Sequence, residues 1–128
     1  MDHHMTVKRD QKALVGGNKH CRVKGNHLEK IDADMSLQVL GNRNEKVGTI
    51  YAVESGQEIH LKAGMKLIIE SGVQISLVGP GGFIDIGPEG ITIQGTLVRI
   101  NSGGSAGSGT GCAPQDPEDP EVGTLRGS

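Results

Sequence analysis

The sequence predicts an all-β protein: an intertwined homotrimeric triangular β-helix, a prism built on eight-residue repeats. Three observations predict it. Val7, Val15, Val23, Ile31, Val39 and Val47 stand eight apart. Glycine keeps the same period at Gly17, Gly25 and Gly41, then Gly48, Gly56, Gly64 and Gly72, then Gly79, Gly87, Gly95 and Gly103, with Ala33 in the one slot glycine does not fill. The apolar residues are almost all Val, Ile and Leu; Tyr51 and Phe83 are the only aromatics and there is no Trp. A fixed period over most of a chain specifies a repeat architecture, and β-branched side chains suit strands.

The first block runs in octads of the form V-x-G-N, as in Val23-Lys24-Gly25-Asn26 and Val39-Leu40-Gly41-Asn42. Gly-Asn is a turn signal, because both residues tolerate positive φ. Each octad therefore reads as one short strand and one tight corner, with Val15, Val23, Ile31, Val39 and Val47 as core positions. The second block alternates. Val53, Ile59, Leu61, Leu67, Ile69, Ile75 and Leu77 are assigned to the core, and Glu54, His60, Lys62, Lys66, Glu70, Gln74 and Ser76 interleave with them. A period of two places one face inside and one in water. Its corners are Ser55-Gly56, Ala63-Gly64 and Ser71-Gly72. The third block continues with Ile84, Ile86, Ile91, Ile93, Val98 and Ile100, and Ile91 and Ile93 complete the assigned core. Pro80 and Pro88 fall at corners, where a missing N–H breaks no ladder. Two one-residue slips in the glycine register, between Gly41 and Gly48 and between Gly72 and Gly79, are expected to mark places where the winding adjusts.

One chain cannot bury these faces alone. Each strand carries two or three apolar residues, and its edges would stay unpaired. Three chains wound together cover every edge. Each octad then makes one face of the prism, and three octads complete a circuit. Twelve octads lie between Val7 and Gly103; at one strand spacing per octad they make a rod roughly 55–60 Å long. A shared core of this kind means that a monomer does not fold. The expected organisation is a disordered start (residues 1–6), the needle (7–103) and a tail (104–128).

Composition excludes several classes. The formal net charge is -2 with both signs interspersed, so the basic footprint of a nucleic-acid binder is missing. No apolar run is long enough for a transmembrane helix, and the polar start has no signal-peptide pattern. Cys21 and Cys112 lie far apart and make no metal-type pair; a free thiol is expected at each. The tail opens on a small-residue stretch, GGSAGSGTG, and continues through Pro114, Pro117 and Pro120 with Asp116, Glu118, Asp119 and Glu121. This composition predicts disorder alone and ordering on a partner.

The octads, together with the run LKAGMKLIIESGVQISLVGPGGFIDIGPEGITIQGTLVRINSGGSAGSGTG from Leu61 to Gly111, resemble the C-terminal end of the VgrG family, the spike proteins of the bacterial type VI secretion system. The segment from Gly79 to Gly104 carries the most specific part, and the likeness covers Thr6 to Pro114. The resemblance implies a homotrimeric needle related to the puncturing spike of contractile phage tails. It is assembled in the bacterial cytoplasm and delivered into a target cell without a transmembrane helix. It also implies a larger N-terminal base that joins sheath and tube and is absent here. A PAAR-repeat protein would cap the tip, which by resemblance is built from Leu97, Val98, Arg99, Ile100, Asn101 and Ser102. Exposed strand backbone at a rod's end suits addition of a further strand by such a cap. An effector or adaptor would join through the tail.

No catalytic set, cofactor motif or metal site emerges. His60 lies between Ile59 and Leu61, so alternation turns it outward; His20 and His27 sit by polar corners and read as surface residues. Glu29 and Glu45 each precede an inward β-branched residue by two positions. The slot is read as solvent-facing; turned inward, it would bring three like charges to the axis and demand a cation. His20 and Cys21 are adjacent and point to opposite faces of a strand. The glycine-rich stretches lack the Lys-Ser/Thr that follows a phosphate loop.

Overall fold

A computed structural model describes residues 4–101 and 103–119. They fall in two compact units, one within Met1–Thr49 and Ala113–Ser128, the other within Ile50–Cys112. All regular structure among them is β.

From residue 8 to residue 73 the backbone bends sharply at 8–9, 16–17, 24–25, 32–33, 40–41, 48–49, 56–57, 64–65 and 72–73. The period is eight throughout. Glycine stands second in the corner at Gly17, Gly25 and Gly41, and first at Gly48, Gly56, Gly64 and Gly72. The first expected slip is therefore no change of winding. The corner keeps its place, and glycine moves between its two positions.

The corners also revise the reason for glycine. None of these glycines has φ in the left-handed region, and a Cβ built on any of them meets nothing within 4 Å. Neither backbone conformation nor crowding within the chain requires glycine there. Serine supports two corners instead. Ser55 Oγ accepts from the Glu58 N–H at 3.3 Å, and Ser71 Oγ accepts from the Gln74 N–H at 3.3 Å. A hydroxyl on the residue just before a bend supplies a backbone donor with the acceptor that a ladder would otherwise give.

At the second slip the architecture changes. The turns keep the period of eight at 80–81, 88–89 and 96–97, but at the first two of them the chain reverses along itself instead of being redirected. Ile75–Gly79 (β1), Gly82–Gly87 (β2) and Gly90–Gly95 (β3) form an antiparallel meander in the order β1-β2-β3. Pro80-Gly81 and Pro88-Glu89 are two-residue hairpin loops, closed by the pairs Gly79↔Gly82 and Gly87↔Gly90. Proline sits where no ladder N–H is needed, and its ring presets φ for the first loop position. Gly90, at φ 125°, supplies the positive φ that lets the second loop rejoin the ladder. The Thr96 N–H donates to the Gly81 carbonyl at 3.0 Å and extends the pairing past β3. The physical reason for the reversal is local: a hairpin of two residues returns the chain along itself, whereas a corner only redirects it.

The register sorts the side chains. Ile75 pairs with Ile86 and Leu77 with Ile84; Ile84 then pairs with Ile93 and Ile86 with Ile91. All six lie on one face, because side chains alternate along a strand and paired residues share a side. The other face carries Ser76, Val78, Phe83, Asp85, Thr92 and Gln94.

Candidate functional site

Among the described residues no side chain is buried, apolar or polar. The β-branched residue before each corner meets a nearly constant environment: Val7, Val15, Val23, Ile31, Val39 and Val47 are 44–52% exposed, against 90% for Leu28 and 94% for Leu40. A repeated sequence position thus occupies a repeated, half-covered structural position. Val53, Ile59, Leu61, Leu67 and Ile69 are exposed as well.

The six aliphatic residues on one face of the meander form an apolar patch. Ile75, Leu77, Ile84, Ile86, Ile91 and Ile93 stand side by side in register, and each is worth roughly 1.5–3 kcal/mol when fully covered. Beside them Leu97, Val98, Arg99 and Ile100 line a concavity of about 630 Å³ together with Leu77, Phe83, Ile84 and Ile93. Four of the residues expected at the tip are thereby brought against the apolar sheet. Asn101 takes φ 57°, a left-handed turn that asparagine tolerates; Ser102 lies outside the described residues.

The polar face is held by a carboxylate. Ser76 Oγ donates to Asp85 Oδ1 at 2.6 Å across the β1–β2 pair, and Gln74 Nε2 donates to the same oxygen. The hydrogen bond from Ser76 first, and then that from Gln74, lowers the Asp85 pKa below the usual aspartate value. Sequence alternation places Asp85 outward but does not reveal these partners.

Glu29 and Glu45 each have a basic side chain two residues before them. Arg43 Nη2 lies 2.6 Å from Glu45 Oε1, and His27 Nε2 lies 3.5 Å from Glu29 Oε2. Residues two apart on an extended chain share a face, so Glu45 has the Arg43 guanidinium beside it and Glu29 has the His27 ring. Among the described residues no group of three or more His, Cys, Asp or Glu side chains converges as a metal site would require. Cys21 and Cys112 are exposed free cysteines.

Sequence reasoning missed the contacts of the tail. In the unit of Ile50–Cys112, Glu58 Oε2 accepts from the Thr110 N–H at 3.0 Å and from its hydroxyl at 2.9 Å. In the unit that holds both chain ends, Lys12 Nζ lies 2.8 Å from Glu118 Oε2. That hydrogen bond, and the Lys12 charge after it, keep the Glu118 carboxyl below its usual range. Neither the glycine- and serine-rich stretch around Thr110 nor the acidic, proline-containing stretch around Glu118 carries a signal for its contact. No helix among the described residues is long and apolar enough to cross a membrane.

No family model matches the chain. A stretch of 31 residues, 24% of the chain, is 55% identical to the actin cross-linking toxin VgrG1 of Vibrio cholerae serotype O1 (strain ATCC 39541 / Classical Ogawa 395 / O395). The match spans 3% of that protein's length.

Proposed function

We propose that this chain is the membrane-puncturing needle of a type VI secretion spike: a non-enzymatic, intertwined homotrimeric β-helix that carries a PAAR-repeat tip protein and effectors. The partial likeness to VgrG1 supports the spike assignment. The observation that carries the trimer is the corner set. Glycine recurs every eight residues at bends where its own chain presents nothing within 4 Å of a Cβ. A residue chosen for smallness needs a close neighbour, and a second and third copy supply one. The same copies cover the half-exposed β-branched residues and the aliphatic face of the meander, with the three apolar faces turned to a common axis.

The mechanism is mechanical. The sheath drives the needle through a base outside this chain, continuous ladders between chains transmit force, and Leu97, Val98, Arg99, Ile100, Asn101 and Ser102 present the end to the cap. Effectors or adaptors engage the tail. The needle is assembled in the cytoplasm, leaves the cell and crosses the target membrane without a spanning helix. Light scattering on the purified chain tests the reading. A mass of three times 13.4 kDa is expected, and a stable monomer of 13.4 kDa overturns it.

The printed name of the relative, a toxin, favours a second reading. In it the chain is the needle portion of a spike whose enzymatic domain lies elsewhere in a longer protein. The two readings share the needle and differ in the sequence that flanks it in the gene.

A further inference from the structure

The tail is described above as the place where cargo joins, yet its first half is already engaged. Thr110 gives two hydrogen bonds to one oxygen of Glu58, from its N–H and from its hydroxyl. Gly109 packs so closely on the His60 ring and the Glu58 carboxylate that a Cβ at 109 would collide with the His60 Nδ1 atom. Gly107, Ser108 and Gly109 line a concavity of about 580 Å³ with residues 58–62. These observations converge on one short surface, Glu58–His60, and one short segment, Gly107–Thr110.

We propose that the Glu58–His60 surface is a docking site for an extended, small-residue peptide, and that its resident occupant is this chain's own segment Gly107–Thr110, which acts as a displaceable strap. The chemistry is specific. A carboxylate oxygen accepts a backbone N–H and a hydroxyl together, so it selects an extended peptide with Ser or Thr at that position. Glycine fits the preceding position best, because any side chain there would have to push the His60 ring aside. Glu58 and His60 alternate with Ile59 and Leu61, so the strap lies on the polar face and leaves the apolar face to other partners. In the other unit, the Lys12–Glu118 contact ties a later part of the tail to the chain's own start. Residues Gln115–Glu118 line a concavity there with Asp10–Ala13, Asp34 and Ser36. A partner that takes the tail must first lift the strap, so capture of cargo competes with an internal contact.

The test is amide hydrogen exchange on the full chain. The Thr110 amide is expected to exchange more slowly than in a free peptide of residues 103–119. Glu58→Ala is expected to speed it roughly two- to tenfold, the range of one net hydrogen bond, while Ile84 and Ile93 in the meander keep their rates. Thr110→Val, which removes the hydroxyl and keeps the N–H, should give a smaller acceleration. Thr110 exchange equal to that of the free peptide, or unchanged in Glu58→Ala, overturns the strap. Light scattering on the same samples separates the two ideas: a trimer with an unprotected Thr110 defeats the strap alone, and a monomer with a protected Thr110 defeats the needle alone.

Discussion

At the scale of single residues, Gly82 and Asp85 show the two ways in which the meander depends on a side chain. Gly82 opens β2 opposite Gly95, and a Cβ on it would drive into the Gln94 carbonyl, with the Gly95 Cα 2.7 Å away. The obstacle is backbone and cannot swing aside. Gly82→Ala is therefore expected to cost about 1–3 kcal/mol, the usual penalty of overpacking, visible as a lower melting temperature. Asp85 acts through charge. Its folded pKa lies below the ordinary value because Ser76 and Gln74 donate to the ionised form. A depressed carboxylate contributes stability that is present above the ordinary value, about 3.9, and that fades as pH falls through the folded one. Chemical denaturation at a series of pH values should show the native chain losing stability below about pH 4. Asp85→Asn should lose less across the same window. Asp85 is only partly covered, so the effect is modest and salt-sensitive.

At the scale of elements, the corner is the unit that repeats. Its spacing is legible in the sequence, since both the β-branched residue before it and the glycine within it keep the period of eight. The conformation of its glycine is not. Gly-Asn suggested positive φ, and the bends form without it. In the proposed trimer the preference reflects what approaches from a neighbouring copy, which a single chain's sequence cannot display. Gly64 makes this testable. No intrachain atom lies within 4 Å of a Cβ there, so a side chain added by Gly64→Val starts clear of its own chain. It should weaken assembly, read as a lower melting temperature at equal chain concentration and a shift of mass toward monomer. Unchanged mass and melting would show that no neighbour presses on that corner. The meander follows different local chemistry. Gly79-Pro80-Gly81-Gly82 and Gly87-Pro88-Glu89-Gly90 keep the glycine beat, and proline between the glycines turns a corner into a hairpin.

At the scale of the whole molecule, the decisive fact is that no described side chain is buried. Six aliphatic residues in register on one sheet face, and six β-branched residues at equal exposure along the octads, need a cover that one chain does not contain. In the proposed trimer, association supplies that burial at a cost in translational freedom; folding and assembly would then be one event, and the melting temperature should rise with chain concentration. The trimer, the cap and the cargo are proposals that meet this need.

The sequence by itself determined the all-β class, the eight-residue corner spacing and the partition of side chains between apolar and polar faces. These are local properties, set by β-branching, alternation and turn residues within a few positions of one another. Only the tertiary structure decided that the octads from Ile75 onward fold as a meander, that Asp85 is held by Ser76 and Gln74, and that Thr110 reaches Glu58. Each of these joins residues whose meeting depends on where the chain reverses, and the reversal rests on two-residue loops whose glycines and prolines read equally well as corners.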